Sequence, residues 1–141
     1  MKNKEKKQLP CNCLNLRRAS TAITKLYDER LSSSGITISQ FSILTQIKNY
    51  GPISVSDLAF NIRLDRTTLV RNLKPLESTE LIKDISEGKS RNRQLQLTEK
   101  GLECCAKAER LWIGTQKYME EKLGKENIEA LTELLSQVEQ I

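Results

Sequence analysis

A mainly α fold with one small β-hairpin is what this sequence predicts, arranged as a helix-turn-helix followed by a wing and flanked by long amphipathic helices. Three observations predict it. Two short helical patterns meet at Arg63-Leu64-Asp65. An alternating strand pattern, Gln94-Leu95-Gln96-Leu97, follows a basic turn. On both sides lie longer stretches whose apolar residues recur every three to four positions.

The first helix is read over residues 11–33, with Leu16, Ala19, Ile23, Leu26 and Arg30 on one face and Gly35 just beyond its end. Ser39 is the expected N-cap of a second helix, 40–50, with Phe41, Leu44 and Ile47 on one side, broken by Gly51-Pro52. Ser54-Val55-Ser56-Asp57 has the spacing of a capping box and opens a short helix to about Ile62 that buries Leu58, Ala59 and Ile62. Asp65 caps the next helix, which turns Leu69, Leu73 and Leu76 inward. Pro75 lies about ten residues into it and predicts a kink there. Two strands, 81–86 and 93–98, enclose a turn at Glu87-Gly88-Lys89. Thr98-Glu99-Lys100 starts a long helix to about Leu123, Gly124 interrupts it, and a last helix over about 126–140 carries Ile128, Leu131, Leu134, Leu135 and Val138 as a stripe.

At 141 residues one core is the natural expectation. The division read from the sequence is a loose basic arm over 1–9, a dimerisation helix over 10–35, the winged helix-turn-helix over 36–98 and C-terminal dimerisation helices over 99–141. No apolar run approaches the ~20 residues of a membrane span. The basic start has no apolar stretch behind it, as a secretory leader requires. A cytoplasmic protein with reduced cysteines is expected, without a membrane partner. The flanking helices carry more apolar face than one small module covers, and a two-fold homodimer is the economical remedy.

The net charge of +5 is unevenly spread. Residues 1–31 carry eight basic and three acidic side chains, and residues 63–93 carry eight and five. Residues 94–141 reverse the balance with six and nine. Basic clusters on a helix-turn-helix and its wing point to a polyanion, double-stranded DNA above all. The first two turns of a reading helix face base edges, and here they hold Arg66, Thr67, Thr68 and Arg71. Arginine grips guanine with two parallel donors, and threonine donates to a base or touches a thymine methyl. Asn72 and Lys74 suit the phosphate backbone. In the wing, Lys89, Arg91 and Arg93 suit a narrow minor groove or its phosphates.

Ser56-Asp57-Leu58-Ala59, Asp65-Arg66-Thr67-Thr68-Leu69-Val70-Arg71-Asn72-Leu73 and Leu95-Gln96-Leu97-Thr98-Glu99-Lys100-Gly101 resemble the MarR-type (multiple antibiotic resistance) transcriptional regulators, over about residues 11–141. The resemblance implies a triangular homodimer. In it the first and last two helices dimerise, and each winged module reads half of a palindromic operator. A repressor released by a small-molecule or oxidant signal is the function expected of the chain. Three positions depart from the pattern. Glu80 stands where the family often has Gly, so the reading helix is expected to end differently, since positive φ is costly without Gly. Lys89 stands where an Asp often braces the wing. Pro75 is not general in the family.

Four cysteines form two close pairs, Cys11 with Cys13 and Cys104 with Cys105, and the chain has no His. Neither spacing is that of a C-x-x-C zinc knuckle, and no metal or cofactor is expected. Vicinal Cys104 and Cys105 point about 100° apart on a helix, which sends one of them into the core. Cys13 opens the first helix near Arg17 and Arg18, where a thiolate is favoured. The organic-peroxide-sensing branch of the family has a reactive Cys fourteen residues before a Tyr that helps hold it, and Cys13 and Tyr27 reproduce that spacing. Two further positions often Tyr in that branch are Arg17 and Ile38 here. A thiol sensor for peroxide, electrophile or soft metal is one reading. A small-ligand pocket lined by Trp112, Tyr118 and Met119 is another. A winged-helix module that binds protein is the alternative to DNA binding, distinguished by its lack of retention on heparin. No residue set of an enzyme is present: there is no His, no Gly-rich phosphate loop and no paired carboxylates in an apolar setting.

Overall fold

The computed structural model describes residues 5, 7–87 and 93–141. Six α-helices and three short strands follow in the order α1 (Asn12–Leu31), a single 3-10 turn (Ser32–Ser34), α2 (Ile38–Tyr50), β1 (Ile53–Ser54), α3 (Val55–Ile62), α4 (Arg66–Ser78), β2 (Ile82–Asp84), β3 (Gln94–Leu97), α5 (Glu99–Leu123) and α6 (Lys125–Glu139).

Local chemistry sets most of these boundaries. Gly35, in the left-handed region at φ 81°, ends the turn after α1. The second helix starts earlier than expected, because Thr37 rather than Ser39 caps it. The Thr37 hydroxyl accepts from the Gln40 amide, and the Gln40 side chain accepts in return from the Thr37 amide, so two orphan donors are satisfied at once. Ser54 caps α3 and Asp65 caps α4, as the sequence indicates. The helix assignment of α4 continues through Pro75 to Ser78.

Both helices of the helix-turn-helix end in the same way. At the end of α3 the Leu64 amide reaches back to the Ala59 carbonyl at 3.1 Å and the Arg63 amide to Phe60 at 3.3 Å. At the end of α4 the Leu81 amide reaches Leu76 at 2.9 Å and the Glu80 amide reaches Glu77 at 3.0 Å. This paired closure is a Schellman motif, and it requires a left-handed residue in the middle. Arg63 (φ 62°) and Glu80 (φ 59°) supply it without being glycine. The expectation that Glu80 makes α4 end differently is therefore overturned. The closure is kept, and the backbone bears a cost of about 1 kcal/mol at each site.

The strands form one antiparallel sheet in the order β1-β3-β2. Leu95 pairs with Ile53 on one side and Asp84 on the other, and Leu97 pairs with Ile82. Leu95 and Leu97 are buried while Gln94 and Gln96 are half-buried, the expected alternation. The two-residue β1 has no counterpart in the sequence reading.

One core gathers Phe41, Ile43, Leu44 and Ile47 of α2, Leu58 of α3, Leu69, Leu73 and Leu76 of α4, and the inward residues of the sheet. Leu31 closes it from α1, and Cys105 and Ala108 close it from α5. The first turns of α5 thus pack as part of the winged module. Gly101 lies so close to Leu81 that any Cβ would collide with the Leu81 carbonyl. Of the four cysteines, Cys105 is core, Cys104 is half-buried, and Cys11 and Cys13 are exposed. By contrast, α6 buries no residue, and its Leu131, Leu134, Leu135 and Val138 face outward, as do Leu14 and Leu16 of α1. Among the described residues, no helix is long and apolar enough to cross a membrane.

Candidate nucleic-acid interface

The geometry of α4 sorts its side chains by direction. Leu69, Leu73 and Leu76 point into the core. At about 100° per residue, Thr67, Arg71, Lys74 and Ser78 fall on the opposite side, and all four are exposed. That stripe is the outward face of the helix. Arg66 lies to one side of it, toward α3, where its guanidinium donates to the Ser56 hydroxyl at 3.0 Å. The bond holds a long, flexible cation in one place before any ligand arrives. Ser56 is a member of the site that the sequence reading used in a capping box and in the family resemblance, not as a partner of Arg66. Asn72 is half-buried on the flank of the helix.

Thr68 also flanks the stripe, with its chemistry already committed. Its amide and hydroxyl both donate to the Asp65 carboxylate, at 2.8 and 2.7 Å. The side-chain bond, then the backbone bond, hold the Asp65 carboxyl below the usual carboxylate range. A Thr68 hydroxyl that donates to Asp65 cannot donate to a base as well. Thr68 is left with its methyl group and oxygen lone pairs for anything outside.

Arg93 is placed differently from the expectation of a DNA contact. It forms ion pairs with Glu77, one residue before the end of α4, and with Asp84 of β2, whose Oδ2 accepts from Nε at 3.3 Å. Asp84 in turn accepts from the Ser86 amide (2.9 Å), the Ser86 hydroxyl (2.6 Å) and the Gln94 amide (3.1 Å). The Ser86 hydroxyl contributes most to holding its carboxyl below the usual range, followed by the two amides. The wing is therefore braced by an acid, at Asp84 rather than at the position of Lys89. Lys89 and Arg91, with the turn around them, lie outside the described residues.

The start of α5 fastens to the end of α4. The Thr98 hydroxyl donates to the Glu80 carbonyl at 2.6 Å and the Thr98 amide to Leu81 at 3.1 Å, while Lys100 Nζ donates to the Thr79 carbonyl at 2.8 Å. Between α3 and α4, Arg63 forms an ion pair with Glu139, the last residue of α6.

The thiol positions are spread out. Cys11 is the N-cap of α1, its sulfur accepting from the Leu14 amide at 3.5 Å, and Cys13 is exposed one residue inside the helix. Tyr27 is not its partner within the chain. Fourteen residues of helix rise separate them by about 21 Å, and the Tyr27 hydroxyl donates to Gln116 of α5. Burial raises the pKa of both Cys104 and Cys105 and keeps them thiols. Among the described residues, no group of three or more potential metal ligands converges.

Trp112 packs against Phe41, ring centres 5.9 Å apart, beside a cleft of about 510 Å³ lined also by Thr45, Gln46, Ile62 and Glu109. Gln46 Oε1 is buried there without a hydrogen-bond partner. Tyr118 lies elsewhere, under the Arg30 guanidinium at 4.0 Å, and Met119 does not line this cleft.

Comparison with known proteins agrees with this geometry. The MarR family profile matches residues 36–84. The HTH-type transcriptional regulator SarZ of Staphylococcus epidermidis is 32% identical over 84 residues, 59% of this chain and 57% of SarZ, so the match spans little more than half of that relative's length. The structure of the M. tuberculosis transcriptional regulator MosR in complex with DNA superposes with a TM-score of 0.79 at 32% identity, covering 92% of this chain and 96% of MosR. The transcriptional repressor CouR bound to a 23-mer DNA duplex gives a TM-score of 0.77 at 25% identity over 94% of this chain and 99% of CouR. A winged helix-turn-helix closed onto a long fifth helix, and a resemblance to MosR that runs over nearly the whole of both chains, make this chain a member of the MarR family.

Proposed function

We propose that the chain is a homodimeric, sequence-specific DNA-binding regulator of transcription, a cytoplasmic repressor without enzymatic activity. The outward stripe of α4 carries this reading: Thr67, Arg71 and Lys74 project from a rigid helix with Arg66 held ready beside them. Arg66 and Arg71 read guanine edges, and Thr67 reads a base or a thymine methyl. Lys74, Lys89 and Arg91 neutralise phosphates, and the Asn72 amide donates to one. The uncovered apolar faces of α1 and α6 pair with those of a second copy, and residues 36–98 form the reading module of each. Electrophoretic shift on the DNA upstream of the chain's own gene, followed by footprinting, tests this. The expected footprint is a palindrome with half-sites about 10 bp apart, and affinity falls steeply with salt. A footprint without symmetry, or unchanged affinity in Arg71→Ala and Arg91→Ala, sinks the proposal.

Two input routes differ in the residue they need. Exposed Cys13 suits a covalent signal, with release by oxidant abolished in Cys13→Ser and DNA binding kept. The unpartnered Gln46 oxygen beside Trp112 and Phe41 suits a small aromatic inducer with a hydrogen-bond donor. Release by oxidant that persists in Cys13→Ser excludes the first route and turns the search to the second.

A further inference from the structure

We propose that Arg93 is a positioning residue that fixes the wing against the reading helix, and that Glu77 and Asp84 take part in DNA binding although both are acids. The inference rests on the DNA-binding reading and refines it. A basic residue at the root of a wing would ordinarily be counted among the phosphate contacts. Here its guanidinium is already placed between two carboxylates from two different elements, Glu77 on α4 and Asp84 on β2.

The single Asp84 carboxylate also grips both sides of the hairpin root. It takes the amide and hydroxyl of Ser86 on the outgoing side and the amide of Gln94 on the returning side. The Ile85 amide donates to the Gln94 carbonyl at 2.8 Å and completes the root. Glu77 extends this lock to α4, where it stands one residue after the core residue Leu76 with its side chain only 33% exposed. The angle between wing and reading helix is thus set by the Arg93–Glu77 ion pair on one side and by charge-assisted hydrogen bonds to Asp84 on the other, which are stronger and more directional than neutral ones.

The two accounts of Arg93 predict opposite effects for the acids. Removing a carboxylate near a polyanion strengthens binding if charge alone matters. If the acids hold the wing in place, removal weakens it. The test uses Glu77→Gln, Asp84→Asn and Arg93→Gln in the full chain, with the duplex found by the footprint. Each variant is expected to lose about five- to tenfold in affinity, with the slope of log affinity against log salt unchanged. The Glu77→Gln/Arg93→Gln double variant is expected to be no weaker than either single, because the partners act as one unit. Tighter binding by Glu77→Gln and Asp84→Asn, with a slope reduced by about one in Arg93→Gln, overturns the proposal and makes Arg93 a phosphate contact. Amide hydrogen exchange gives a readout that needs no DNA. Ser86 and Gln94 are expected to exchange faster in Asp84→Asn, and unchanged rates overturn the clamp. Wild-type chain that binds no duplex overturns the DNA reading, and the exchange result then decides the clamp alone.

Discussion

Thr68 gives its one hydroxyl proton to Asp65, and under the proposed function this narrows what α4 can recognise at that position. Replacing Asp65 with Ala should lower stability through the lost cap and free the Thr68 hydroxyl, which thermal melts and a changed base preference check together. Asp65 and Asp84 both have lowered pKa values. A carboxyl depressed in the folded state adds stability that is fully present above its unfolded value and is lost as pH falls through the folded value. Both contributions should therefore persist at neutral pH and disappear only in acid, below about pH 4. Acid titration of Asp65→Asn and Asp84→Asn, each with a flatter acid limb than wild type, checks this. Left-handed Glu80 offers the reverse experiment. Glu80→Gly should raise stability by about 0.5–1 kcal/mol, since Gly adopts that φ without strain, and a lowered melting temperature would contradict the account. The thiols divide in the same residue-by-residue way: Cys104 and Cys105 should resist alkylation at neutral pH while exposed Cys11 and Cys13 react, a difference that mass spectrometry of timed labelling resolves.

At the scale of elements, the junction of α4, β2 and α5 tolerates least. A Cβ at Gly101 has no room against the Leu81 carbonyl, so Gly101→Ala should destabilise by about 2–3 kcal/mol or more, read as a lowered midpoint in urea. The elements here were largely legible in the sequence. Leu69, Leu73 and Leu76 announced the inward face of α4, and Asp65 and Thr98 announced two helix starts, because a cap and a 3.6-residue period act locally. What escaped was non-local or too short to carry a period. Two residues of β1 show no alternation and exist only because Leu95 pairs with Ile53. Ser39 is the cap of α2 that the sequence predicts; Thr37 also has a hydroxyl, and the reciprocal Gln40 bond is what makes it the cap. The site shows the same division. Of the contacts expected on α4, Thr67, Arg71 and Lys74 lie on its outward stripe while Arg66 and Thr68 lie beside it, and the capture of Arg93 by Glu77 and Asp84 depends on a tertiary meeting that no spacing encodes.

For the molecule as a whole, the apolar face of α6 is the strongest demand the single chain leaves unmet. Leu134 is 57% exposed, and Leu131, Leu135 and Val138 stand on the same side. Leu131→Glu/Leu135→Glu should convert a dimer to monomers in sedimentation equilibrium while helical content is retained, and should abolish the discrete DNA shift because one reading head cannot span a palindrome. The three bonds from Thr98 and Lys100 onto the end of α4 then acquire a mechanical meaning. They rivet the reading head to the base of α5, a rod of 25 residues and about 37 Å. Head and rod pivot together, so a tilt of only about 5° at the far end swings the head through roughly 3 Å, comparable to the base-pair rise of about 3.4 Å. Under the proposed function, a signal arriving at the distant end of the rod would reach the head through this lever.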